Sequence, residues 1–122
     1  MKISLMPGKL GVCRLESDRP FPKWALNNHF FSITVTADET SIVCREELIP
    51  DDCQAERGFR AFKVEGPLDF HLTGILSSLI NPLAEAAISI FVISTYDTDY
   101  ILIKEDQINR AADLLKNVCT IN

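Results

Sequence analysis

The sequence lacks the features that mark several large classes of protein. No apolar run approaches the roughly 20 residues that a helix needs to cross a bilayer. The 122 residues include 12 lysines and arginines against 17 aspartates and glutamates, which gives a net charge of −5. Nucleic-acid-binding surfaces depend on a basic stripe, and this balance argues against one. We therefore expect a protein that binds neither membranes nor nucleic acid.

Cysteine and histidine are scarce and widely spaced. The residues are Cys13, Cys44, Cys53, Cys119, His29 and His71. No C-x-x-C pair occurs among them, so we predict neither a zinc site nor a redox motif. The opening MKISLM reaches Pro7 and Gly8 before an apolar signal-peptide core can form. We expect reduced cysteines and a cytoplasmic protein.

Motifs of the common enzyme classes are also missing. The chain has no G-x-S-x-G, no phosphate-binding P-loop, no H-E-x-x-H and no dinucleotide glycine fingerprint. We therefore predict no catalytic residues, no metal and no cofactor, and an enzyme is the least favoured of the alternatives. The apolar content of 47% is ordinary for a globular domain, and the length suits one domain or two small halves.

The first half of the chain has the pattern of short strands separated by turns. A strand is predicted over residues 10–15, and one helical turn at most over 23–27, after two prolines. Apolar and polar residues alternate over 31–35, which is typical of a half-buried strand. A turn then leads into residues 41–45, so the two segments predict a β-hairpin. Residues 46–52 follow as a loop or short helix.

In the second half, apolar residues recur at helical spacing. They are Leu72, Ile75, Leu76, Leu79 and Leu83. This spacing predicts an amphipathic helix, which we expect Pro82 to end or kink near Ile80. Residues 88–95 are apolar on both faces, a pattern typical of a central strand covered by helices.

The remaining elements complete a recognisable order. Strands are predicted over 60–65 and 100–103, and a last helix begins with negative charge in its first turn. A closing strand is expected within 118–121. The resulting order, β-α-β-β-α-β, predicts an α+β, ferredoxin-like fold with two helices on one face of an antiparallel sheet.

Two segments carry a resemblance to a known family. The stretch Leu72-Thr73-Gly74-Ile75-Leu76 resembles the start of the first helix of an ACT domain. The run ISIFVISTYDTDYILI, at residues 88–103, resembles the second unit of small tandem-ACT proteins. Those proteins are related to aspartate-kinase regulatory regions and to the cytosolic arginine sensor (CASTOR) family. The resemblance implies two ferredoxin-like ACT units, an abbreviated one at 1–59 and a complete one at 60–122.

The resemblance also implies a function and a set of contacts. ACT units are regulatory modules that bind an amino acid at an interface which they share, commonly within a dimer. Helix-start amides suit a carboxylate, a glycine admits close approach, and loop carboxylates suit an ammonium group. We therefore expect a non-catalytic homodimer with an amino acid as its small-molecule partner. The ligand-binding residues implied are Thr73, Gly74, Ile75, Leu76, Thr95, Tyr96, Asp97 and Asp99.

Other interpretations compete with this one. The arginine sensors have an acidic residue just before the glycine, whereas His71 and Leu72 stand near it here, which disfavours arginine as the ligand. Leu72 instead favours a ligand-free protein–protein interaction module that dimerises. Gly74 is also explained by tight helix packing, and Asp97 and Asp99 by a solvated turn.

Overall fold

A computed structural model describes residues 1–26, 30–66 and 73–122. His29, His71 and Leu72 lie outside these described residues. No helix within them is long and apolar enough to span a membrane. The chain divides into two compact units. We call Gly8–Gly58 the N-terminal unit, and Phe59–Asn122 together with Met1–Pro7 the C-terminal unit.

The described chain contains eight strands, two α-helices and three short 3-10 helices. The strands are β1 Lys2–Leu5, β2 Leu10–Leu15, β3 Ser32–Val35, β4 Thr40–Arg45, β5 Gln54–Val64, β6 Phe91–Ser94, β7 Asp99–Lys104 and β8 Thr120–Ile121. The α-helices are α1 Ile75–Glu85 and α2 Ile108–Leu115. The 3-10 helices are Lys23–Ala25, Glu46–Leu48 and Glu105–Gln107. The α+β fold is therefore confirmed.

The N-terminal unit is an antiparallel sheet in which β4 lies between β3 and β2. The predicted hairpin and the single helical turn are both confirmed. Ile33 packs against the core of this unit, but Val35, in the same alternating series, is 53% exposed. A helix of three residues covers little of a sheet, which explains why the apolar face of β3 is only partly buried.

The C-terminal unit has the strand order β6-β7-β5-β1-β8. From β5 onward its elements follow the β-α-β-β-α-β order that the sequence predicts. Strand β1 was not predicted; it pairs antiparallel with β5 and parallel with β8. Ile3 of that strand is fully buried. The alternation of Ile3 and Leu5 was the available signal, but four residues form too short a pattern to identify a strand.

Helix α1 does not end near Ile80, so the first of the two predicted effects of Pro82 is wrong, and a kink there stays a prediction. The helix continues past Pro82 to Glu85. Proline has no N–H, and one backbone bond of the helix is lost there. The carbonyl of Pro82 nevertheless accepts a bond from the Ala86 N–H at 3.2 Å. Because Leu79 and Leu83 on either side of it are fully buried, packing holds the last turn.

The expected central strand over 88–95 is also wrong. Strand β6 has four residues, and among the described strands it pairs with β7 alone, at the edge of the sheet. Ile88 is buried in the core, but it belongs to the connection that follows α1. The apolar residues of β6 itself are only half-buried. The apolar run thus contains two elements with different surroundings.

Candidate ligand-binding site

The predicted ligand-binding residues belong to two segments of the C-terminal unit, the start of α1 and the β6–β7 hairpin. Strand β7 is antiparallel to both β5 and β6, so β5 and β6 end at the same edge. The turn 95–98 continues from β6 at that edge. Helix α1 packs on the core of the same unit and ends shortly before β6 begins.

The first turn of α1 has no side-chain cap within the described residues. The first backbone bond of the helix runs from the Ser78 N–H to the Gly74 carbonyl, at 3.0 Å. The hydroxyls of Ser77 and Ser78 donate to the carbonyls of Gly74 and Ile75, at 3.1 and 2.7 Å. These hydroxyls do not cap the amides of Ile75, Leu76 and Ser77. Such amides carry partial positive charge and suit a carboxylate.

Gly74 precedes the helix in the left-handed conformation, with φ 79° and ψ −7°. Residues with a β-carbon rarely adopt this conformation. No described atom lies within 4 Å of the position that a β-carbon would take. The backbone angle alone therefore accounts for a glycine here, and no described neighbour packs against the position of its missing β-carbon.

Ile75 and Leu76 differ from the two residues before them. Their side chains are half-buried and pack against the core, whereas Thr73 and Gly74 are exposed. Within the predicted site, Ile75 and Leu76 can therefore offer their backbone amides but not their side chains.

The turn after β6 is closed by the hydroxyl of Thr95. The Thr95 N–H and hydroxyl both donate to the Thr98 carbonyl, at 2.8 and 3.1 Å. The Thr98 N–H donates back to the Thr95 hydroxyl at 3.3 Å. Tyr96 and Asp97 form the exposed tip, and Tyr96 is 83% exposed. Thr95 thus shapes the turn, and the tip faces solvent.

Asp99 faces Ser94 across the β6–β7 register. The Ser94 hydroxyl donates to the carboxylate of Asp99, which is half-buried. A hydrogen bond to a carboxylate fixes its orientation and leaves lone pairs for a further donor. Ser94 was not predicted from the sequence, and only the strand register reveals it.

Thr98 is the second residue that the sequence did not reveal. It is 5% exposed, and its hydroxyl donates to the carbonyl of Val64 at the end of β5. The turn is therefore attached to the strand that leads towards α1. In the sequence, Thr98 stands between two aspartates and resembles any polar turn residue.

Comparisons with known proteins follow the same division of the chain. A family model described as ACT domain matches residues 54–117, and another, described as an N-terminal domain, matches residues 8–52. The Rattus norvegicus protein named cytosolic arginine sensor for mTORC1 subunit 1 is 32% identical over 98 residues. That alignment covers 80% of this chain but only 29% of the rat protein.

Solved structures show the same fold. A crystal structure of an Agrobacterium tumefaciens protein has a TM-score of 0.94 and 40% identity, and covers 99% of this chain and 91% of that one. The regulatory subunit of aspartate kinase from Thermus thermophilus has a TM-score of 0.63 at 10% identity. It covers 94% of this chain and 95% of that one. At that identity the similarity shows the fold alone.

Proposed function

The chain belongs to the ACT domain family, and from that premise we propose that it is a regulatory module which binds an amino acid. The module is non-catalytic and cytoplasmic, and the ligand lies at an interface between ACT units of a homodimer. The sequence bounds of the two proposed ACT units are 60–122 and 1–59, and in the structure Met1–Pro7 belongs to the same compact unit as Phe59–Asn122. The chain spans 29% of the length of the rat relative, so no activity of that whole protein is assumed.

One observation carries the proposal. The first turn of α1 has no side-chain cap within the described residues, and the β6–β7 hairpin of the same unit carries the carboxylates of Asp97 and Asp99. We propose that one amino acid contacts both. An amino acid presents one carboxylate and one ammonium group. Helix-start amides suit the first group, and acidic side chains suit the second. Thr73 and Tyr96 are exposed beside these groups and complete the proposed contacts.

We propose only the class of the ligand, an amino acid. The rat relative is named an arginine sensor. The arginine sensors have an acidic residue just before the glycine, whereas this sequence has His71, Leu72 and Thr73 near Gly74. Arginine is therefore disfavoured, and a neutral amino acid is compatible with one or two carboxylates near its ammonium group.

A thermal-shift screen against the twenty amino acids at millimolar concentration tests the proposal. A ligand that binds only the folded state adds about 2.7 kcal/mol at 100 times its dissociation constant. We expect one amino acid to raise the melting temperature, and Asp99→Asn to reduce that rise. Asp38→Asn, at the exposed tip of the β3–β4 hairpin, is the matched control and should leave the rise unchanged. A response that survives Asp99→Asn would place the ligand elsewhere.

A ligand-free interaction module is the second candidate, and strand β6 favours it. Phe91, Val92 and Ile93 are half-buried at the sheet edge, where a second strand could pair with them. This function predicts a dimer that is stable without any metabolite. A flat screen together with a concentration-dependent dimer would favour it over amino-acid binding.

A further inference from the structure

Thr98 has a pattern of contacts that is unusual for a hairpin turn. Such residues are ordinarily solvated, yet Thr98 is 5% exposed. The last register pair of β5 with β7 is Lys63 with Tyr100, so the Val64 carbonyl lies just beyond the ladder. The hydroxyl of Thr98 donates to that carbonyl. A side chain thus extends the strand pairing past its end.

In the β3–β4 hairpin, the residue at the corresponding position has no hydroxyl that could donate such a bond. In the turn after β3, the Thr36 N–H donates to the Glu39 carbonyl at 2.9 Å, and the Thr36 hydroxyl accepts from the Glu39 N–H at 3.2 Å. These bonds repeat those between Thr95 and Thr98. Glu39 therefore occupies the position of Thr98, and an ionised carboxylate cannot donate a hydrogen bond. Of these two hairpins, it is therefore the β6–β7 hairpin, in the C-terminal unit, whose turn is attached to a neighbouring strand by a side-chain hydroxyl.

We propose that Thr98 is a positioning residue of the amino-acid site. Its hydroxyl holds the turn that carries Asp97 and Asp99 against the end of β5. The two carboxylates then keep a fixed position at the sheet edge, which a ligand that binds to them requires. This inference rests on the proposed function and adds the residue that sets the geometry of the site.

Three variants separate positioning from simple stability. Thr98→Val keeps the shape and removes the hydroxyl, and Thr98→Ser keeps the hydroxyl. Thr40→Val is the matched control, because Thr40 is 2% exposed and its hydroxyl has no hydrogen-bond partner among the described residues. We expect it to be neutral or stabilising.

Amide hydrogen exchange measured by NMR is the first readout. The Thr95 amide reports on the turn, and the Lys116 amide, bonded to the Ala112 carbonyl at 3.0 Å, reports on α2. We expect Thr98→Val to speed exchange of Thr95 at least threefold relative to Lys116. Thr98→Ser should restore the rate. An unchanged Thr95 rate, or equal acceleration of both amides, would overturn the inference.

Titration of each of the twenty amino acids is the second readout. For an amino acid that binds the wild type, we expect Thr98→Val to weaken affinity at least threefold and Thr98→Ser to retain it. Unchanged affinity in Thr98→Val would overturn the positioning role while leaving the proposed function intact. If no amino acid binds the wild type, the proposed function and the ligand role of Thr98 fail together. The exchange data would then show only whether the Thr98 hydroxyl orders the turn.

Discussion

The two units share a strand frame and differ in what connects its strands. Leu10 pairs with Arg45 in the N-terminal unit as Phe59 pairs with Lys104 in the C-terminal unit. The later strand of each pair has six residues and leads directly into a 3-10 helix, at Glu46–Leu48 or Glu105–Gln107. The sheet pattern is therefore repeated almost residue for residue within one chain.

The two units differ in the segments that connect β2 to β3 and β5 to β6, and only the second of these segments contains an α-helix within the described residues. Residues 16–31, between β2 and β3, contain only the 3-10 helix Lys23–Ala25 in their described part, whereas residues 65–90, between β5 and β6, contain α1. A three-residue helix has no extended dipole and no room for a site at its first turn. The same strand frame thus supports a candidate anion site only in the unit where the connection is long enough for an α-helix.

The two units also differ in the composition of their cores. This difference leads to the largest change in stability that we predict. The N-terminal core contains Cys13 and Cys44, whereas the C-terminal core is mainly aliphatic and aromatic. Burial raises the pKa of the Cys44 thiol from 9.0 to about 11, and the neighbouring Cys13 contributes to the rise. Burial likewise raises the pKa of Cys13.

Removing the Cys44 thiol should make the free energy of unfolding fall less steeply as the pH rises above 9. Between pH 9 and 11 the unfolded state loses the Cys44 proton while the folded state keeps it, so the free energy of unfolding falls as pH rises. We expect Cys44→Ala to reduce this fall by on the order of 2 kcal/mol, since one pKa unit corresponds to about 1.4 kcal/mol. Urea unfolding at pH 8 and pH 11 measures it.

The control for this experiment is Ile42→Val, which removes one methylene group from the same core. It should lower the free energy of unfolding equally at both pH values, because it removes no titrating group. A decline that is identical in wild type and Cys44→Ala would show that the buried thiol does not cause the alkaline sensitivity.

Gly74, at the start of α1, and Gly58, in the N-terminal unit, both have left-handed backbone angles. Gly74 has φ +79° and Gly58 has φ +80°, and at neither residue does a described atom lie within 4 Å of the place that a β-carbon would occupy. Alanine at either site should cost about 1–2 kcal/mol of stability through backbone strain alone. Denaturant unfolding of Gly74→Ala and Gly58→Ala should therefore give similar losses.

Ligand binding should separate these two variants. The methyl group of Gly74→Ala would lie beside the helix-start amides of the proposed site, so the amino-acid response should be lost. Gly58→Ala should keep it, because Gly58 lies in the other unit. Equal loss of the response in both variants would mean that strain, and not the site, controls binding.

The end of α1 gives the smallest predicted effect. Ala87 has a left-handed φ of 59°, and its N–H and that of Ile88 donate to Ala84 and Leu83, at 3.0 and 2.9 Å. This is a Schellman arrangement, in which glycine is preferred. We expect Ala87→Gly to raise the free energy of unfolding by about 0.5 kcal/mol. Ala84→Gly, within the helix, should lower it by about 0.5–1 kcal/mol in the same thermal or urea assay.

Much of the fold was predictable because its signals are local. The spacing of Ile75, Leu79 and Leu83 identified α1, and alternation identified the β3–β4 hairpin. The failures arose where distant packing outweighed a local rule. Pro82 did not end α1, because burial of its neighbours holds the last turn. Strand β1 was missed, since its four residues gain their stability from β5 and β8.

The sequence by itself determined the family, the order of elements from β5 onward and the candidate segments around Gly74 and Asp99, because short motifs and periodicity encode them. Only the tertiary structure decided which side chains support that site. Ser94 meets Asp99 across the β6–β7 pair, and the Thr98 hydroxyl meets Val64, which is far away in the chain. Such contacts depend on strand register, which the pairing of whole strands sets and which no local pattern records.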